Sequence, residues 1–197
     1  CKYWNNKNGW IEVVNYLNEL GYDVVCIDRH ENFGLSPNHM NNIPHNAINK
    51  TGDFSLHDRI NDLHHCEFFI GLGSGLSWLA WACKLPVVLI SGFSEKWAET
   101  TLDTYRVINE SVCHGCFNSE RLDAGDWNWC PLHKNTERMF ECTKRISSDM
   151  VIKEINNIIN KENLPNFDWG WMNTDVINAQ YHKEVMYNEI FIEKIYE

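Results

Sequence analysis

The chain has 197 residues, 44% of them hydrophobic and 22% charged, with a formal net charge of −10. That size supports one domain with a real core, or one lobe of a larger enzyme. The acidic balance argues against a general nucleic-acid or anionic-membrane surface, and no apolar run nears the roughly 20 residues that span a bilayer. No signal peptide opens the chain, and its abrupt entry into structured-looking sequence at Cys1 reads as the C-terminal portion of a longer protein.

In chain order, Trp10, Val13, Val14, Leu17 and Leu20 recur at helical spacing, with Gly21 where a C-cap belongs. Asp23 to Asp28 reads as a parallel strand buried on both faces, its C-terminal Asp28 facing the ligand crevice or closing a turn. Residues 29–50 have no sustained period and read as a loop. Ser55 caps a predicted short helix bearing Leu56, Ile60 and Leu63. Glu67 to Ile70 and Leu85 to Gly92 are predicted strands, and Ser74 to Lys84 is the helix between them.

Tyr105 to Ile108 is a predicted short strand, and Val151, Ile152, Ile155, Ile158 and Ile159 mark an amphipathic helix from Asp149. Residues 160–166 read as a linker, 167–171 as an aromatic knot, and Asp175 to Tyr196 as a final helix. Alternating helices and buried strands make this an α/β parallel-sheet chain.

Two stretches carry chemistry. The first is Gly71-Leu72-Gly73-Ser74-Gly75-Leu76-Ser77, a glycine-rich turn between a buried strand and a helix. It is neither the dinucleotide fingerprint nor a P-loop; it is a phosphate cradle or a tight βα turn. As a cradle, the backbone N–H groups from Gly73 to Leu76 and the Ser74 and Ser77 hydroxyls face the anion, and Lys2 neutralises it as a point charge.

The second is the run Cys113, Cys116, Cys130 and Cys142, spaced C-x2-C-x13-C-x11-C, as in ribbon-like tetrathiolate sites. Disulfides or packed thiols are the alternatives. Four thiolates leave no open position, so the metal is structural, either zinc or iron. His114 and His133 flank the run and read as surface or supporting residues, while Cys26, Cys66 and Cys83 read as core.

The loop resembles that of lipopolysaccharide heptosyltransferases, D-[ST]-G-L-S-H-L-A-A-A-L. Ser74-Gly75-Leu76-Ser77, Leu79-Ala80 and Ala82 match, but Gly73 stands for that family's aspartate and Trp78 for its histidine. Lys2-Tyr3-Trp4 with Trp10 resembles that family's K-x-W…W segment, whose lysine contacts donor phosphates. With the VVCIDRHENFG stretch and the four-cysteine run, nearly the whole chain resembles the C-terminal half of bacterial autotransporter heptosyltransferases.

That resemblance implies a Rossmann-like C-terminal lobe of a GT-B glycosyltransferase, formed by residues 1–110 and 147–197, with a metal finger over 111–146. It implies heptose transfer from ADP-heptose, or a similar nucleotide sugar, to serine hydroxyls of autotransporter adhesins in the bacterial cytoplasm. It also implies iron in the finger and a homo-oligomer. Lys2, Gly73, Ser74, Gly75, Leu76, Ser77 and Asp28 are then donor-site residues, with Arg29 and Glu31 as weaker ribose, adenine or sugar contacts. The general base is expected in an N-terminal lobe outside this sequence, so no catalytic residue is named and the chain alone is expected not to glycosylate. A glycosyltransferase with another donor, or a metal-stabilised assembly module, are the alternative readings.

Overall fold

The computed structural model describes residues 1–33, 41–160, 184–187 and 190–193. Helix α1 (Gly9–Glu19) buries Val13, Val14 and Leu17. It ends as expected at Gly21, whose φ of 82° brings its N–H to the Asn18 carbonyl and the Tyr22 N–H to that of Leu17, a Schellman closure. Strand β1 (Val25–Cys26) is shorter than the predicted Asp23–Asp28 strand.

The stretch read as loop holds three two-residue strands. Strands β2 (Asn32–Phe33) and β3 (Asn41–Asn42) pair with each other, and β4 (Ile48–Asn49) lies parallel to β1. Two residues are too few to carry a readable period.

Next come α2 (Leu56–His64), β5 (Cys66–Leu72), α3 (Gly75–Ala82), β6 (Val87–Ile90) and β7 (Thr104–Val107), all where the sequence puts them to within a few residues. Ser55 caps α2 through a reciprocal pair with Asp58. The one-turn helices α4 (Cys116–Ser119) and α5 (Glu141–Lys144) lie in the cysteine-bearing segment, and α6 (Ser148–Ile159) follows.

The expected final helix over Asp175 to Tyr196 is corrected. Strands β8 (Glu184–Tyr187) and β9 (Ile190–Glu193) form an antiparallel hairpin there. The Val, Met, Tyr, Ile and Phe of these strands suit a pleated surface, and sheet pairing overrides the helical reading. The rest of that range, like most of the predicted linker and the aromatic knot at 167–171, lies outside the described residues.

The seven-stranded sheet runs β4-β1-β9-β8-β5-β6-β7. Strands β8, β5, β6 and β7 are mutually parallel, and β9 runs against both its neighbours. Side chains alternate across it: Phe68, Ile70, Val88 and Ile90 pack under α1 and α6, while Phe69, Val87 and Leu89 meet Leu63 of α2 and Ala80 of α3. The architecture is therefore helix–sheet–helix, with β5 an interior strand flanked by β8 and β6. Among the described residues no helix is long and apolar enough to cross a membrane.

Candidate functional site

The turn after β5 sits at the carboxyl edge of the parallel strands, where open α/β sheets bind ligands. Ser74 is the N-cap residue of α3, and its N–H donates to Ser77 Oγ at 3.1 Å. Ser77 is buried and returns a 2.7 Å hydrogen bond to the Ser74 carbonyl. Its hydroxyl thus braces the turn from below. Lys2, 71 positions away in sequence, donates through Nζ to the Gly73 carbonyl at 2.9 Å. The predicted partners Lys2 and Gly73 are brought together.

Two anchors hold the segment before α1 in place. Trp4, essentially buried, donates from its indole to the Ile146 carbonyl at 2.9 Å, and Asn6 reaches the same carbonyl at 3.0 Å. Asn5 donates to Thr143 Oγ1 at 2.8 Å. Lys2 is therefore positioned by the end of the cysteine-bearing segment.

Around these residues lies a cleft of about 570 Å³. Lys2, Gly73, Ser74, Trp78, Glu99 and Trp127 are among the residues that line it. Trp78, edge-on to Trp81, and Trp127 remain about half exposed. Gly73 lets the Glu99 carboxylate come close: a Cβ there would lie 1.6 Å from Glu99 Oε1, so a side chain at 73 would displace it. Glu99 escaped sequence reading because nothing in the local pattern tells that the loop after β6 folds back over position 73.

Asp28 stands apart from this cleft. Its carboxylate accepts from the Arg29 N–H at 2.5 Å, and its carbonyl accepts from Gly52 N–H and from Arg59. Buried Arg59 also donates to the Lys50 and Gly52 carbonyls at 3.1 Å each and pairs with Asp62, so it ties β1 and the loop after β4 to α2. The exposed Arg29 guanidinium pairs with Asp53, and Glu31 accepts from Asn49.

The cysteine-bearing segment docks on the loop after β6. Gly115 N–H donates to the Gly92 carbonyl and Phe117 N–H to that of Phe93, each at 3.1 Å. Phe93 stacks on Phe117 and meets Trp129 edge-on. Gly92 must be bare because a Cβ would lie 2.3 Å from the Cys142 carbonyl.

All eight cysteines stand as free thiols in the structure. Burial, with repulsion from the other cysteines of the run, pushes the Cys142 thiol up to about 12; burial, then the hydrogen bond and charge of Glu141 and lesser repulsion from Cys116 and Cys130, push Cys113 up to about 11. Such crowding of would-be thiolates suits a bound cation, and the donor set is soft.

Among the described residues, Cys113, His133 and Glu141 bring potential ligand atoms within 4.8 Å of one another. His133, expected to flank the site, stands inside that group. Glu141, however, is already engaged by Arg138 through two hydrogen bonds of 3.0 and 2.5 Å, which hold its carboxyl down at about 2.

No family model matches the chain. It is 49% identical over 82% of its length to the autotransporter heptosyltransferase TibC of Escherichia coli O78:H11, and 52% identical over 77% to BAHTCr of Citrobacter rodentium. It is 37% identical over 80% to BimC of Burkholderia thailandensis, named an inactive autotransporter heptosyltransferase. The crystal structure of TibC, a dodecameric iron-containing heptosyltransferase in complex with ADP-D-beta-D-heptose, superposes over 81% of this chain with a TM-score of 0.77 at 49% identity. The chain spans about two fifths of these proteins' length: 39% of TibC, 37% of BAHTCr, 37% of BimC and 42% of the TibC crystal chain. By sequence and by structure, the chain belongs to the autotransporter heptosyltransferase family.

Proposed function

We propose that this chain is the nucleotide-sugar-binding lobe, Rossmann-like and of GT-B type, of an enzyme that moves heptose from ADP-heptose to serine hydroxyls of autotransporter adhesins. One observation carries the reading: the Lys2 ammonium lies against the Gly73 carbonyl at the N-terminus of α3, inside the cleft. A diphosphate there meets a cation, the Gly75 and Leu76 N–H groups and the positive end of a helix dipole. The same groups stabilise the charge that grows on a departing nucleoside diphosphate. TibC, so similar over this stretch, has been crystallised with ADP-D-beta-D-heptose.

In this reading residues 111–146 hold an iron through Cys113, Cys116, Cys130 and Cys142. The mutual repulsion of these thiols and the prior engagement of Glu141 by Arg138 favour that set over the Cys113–His133–Glu141 group. The metal would fix the segment that carries Phe117 and Trp127 onto the cleft and, through Thr143 and Ile146, the strap bearing Lys2.

The general base belongs to the part of the relatives that this chain does not span. Assembly into a homo-oligomer is supported by exposed apolar side chains such as Trp97, 72% exposed, and by the dodecameric state of TibC. The acceptors are met in the cytoplasm, before export.

The test is transfer of heptose from ADP-heptose to an autotransporter fragment, read by intact mass. Addition of heptose units by the full-length protein, with none by residues 1–197 alone, is expected. Absence of transfer by the full-length protein, with donor still bound, would align it functionally with BimC instead.

A further inference from the structure

The Glu99 side chain is 14% exposed, and its two oxygens are treated differently. Oε2 accepts from Arg106 Nη1 at 3.1 Å and from Ser91 Oγ at 3.4 Å. Arg106, itself 9% exposed, also donates to Ser91 Oγ at 2.8 Å, and Ser94 Oγ lies 3.1 Å beyond. Oε1 accepts no hydrogen bond among the described residues and lies where a Cβ of Gly73 would stand.

A carboxylate with one oxygen clamped and the other facing a concave site is a fixed acceptor for donor groups. Its charge decides which. A diphosphate beside it would be repelled, so the phosphates belong on the Lys2 side of the turn. An uncharged polyhydroxyl group fits the Glu99 side, since a carboxylate accepts from hydroxyls in short, strong bonds. Gly73 thus divides the cleft: its carbonyl meets the cation, and its bare Cα meets the anion.

We propose that Glu99 is a specificity-determining residue that accepts hydrogen bonds from sugar hydroxyls of the donor, held in place by Arg106 and Ser91. The proposal deepens the donor-lobe reading and rests on it.

The test compares ADP-heptose with ADP by calorimetry on the full chain and its variants. In Glu99→Gln the affinity for ADP-heptose should fall about tenfold to a hundredfold, the size of one or two charge-assisted bonds, with ADP affinity within twofold of wild type. Glu99→Asp keeps the charge but draws the carboxylate back by one methylene, and should give the same selective loss. This second variant, together with melting temperature, keeps the test valid if Glu99→Gln disturbs Arg106. An unchanged ratio of ADP-heptose to ADP affinity in both folded variants would overturn the role of Glu99. Failure of the wild type to bind ADP at all would overturn the donor-lobe reading itself, and this proposal with it.

Discussion

Lys2 Nζ and the Gly73 carbonyl oxygen are 2.9 Å apart, joining the strap before α1 to the turn after β5. A flexible lysine gains most as a phosphate ligand when its stem is already placed, because less side-chain entropy is lost on binding. Lys2→Met should lower ADP affinity about tenfold to a hundredfold, one charged contact, with an unchanged circular dichroism spectrum. Calorimetry checks it, and a loss seen only at low salt, vanishing at high salt, would show a merely diffuse charge effect.

The strap's anchor makes a second prediction. Trp4→Phe keeps an aromatic body in the buried site but removes the indole donor to Ile146. Because Asn6 still donates to that carbonyl, the cost should be about 1 kcal/mol in urea unfolding, against about 3–5 kcal/mol for Trp4→Ala.

Metal content tests the finger. Serine at Cys113, Cys116, Cys130 or Cys142 should each abolish bound iron and lower the melting temperature, whereas His133→Ala should retain iron. Iron lost in His133→Ala and kept in Cys142→Ser would instead favour the group containing Glu141.

The capping box of α2 has a pH signature. Hydrogen bonds from Ser55 hold the Asp58 carboxyl below its ordinary value. A depressed folded-state pKa contributes stability above the unfolded carboxylate range and loses it as pH falls through the folded value. The stability gap between wild type and Asp58→Asn should therefore be largest near pH 7 and close on acidification, measured by urea titration. A gap that widens in acid contradicts the assignment.

Much of this was legible in the sequence because it rests on local signals. Gly21 after a helical period, Ser55 three residues before Asp58, and glycines between Ile70 and Trp78 each dictate a conformation within a few residues. What depends on distant pairing was not. Strands β8 and β9 show their strand character through pairing with β5 and β1, distant in sequence. The buried ties of Arg59 join α2 to two loops, after β1 and after β4, that share no sequence pattern. Glu99 gains its meaning only when the chain folds it onto Gly73.

The most direct test of the central claim is a calorimetric titration of residues 1–197 with ADP. The account predicts a saturable one-to-one isotherm that is weakened at least tenfold in Lys2→Met. No heat of binding at millimolar nucleotide, from a folded, metal-loaded chain, would contradict it.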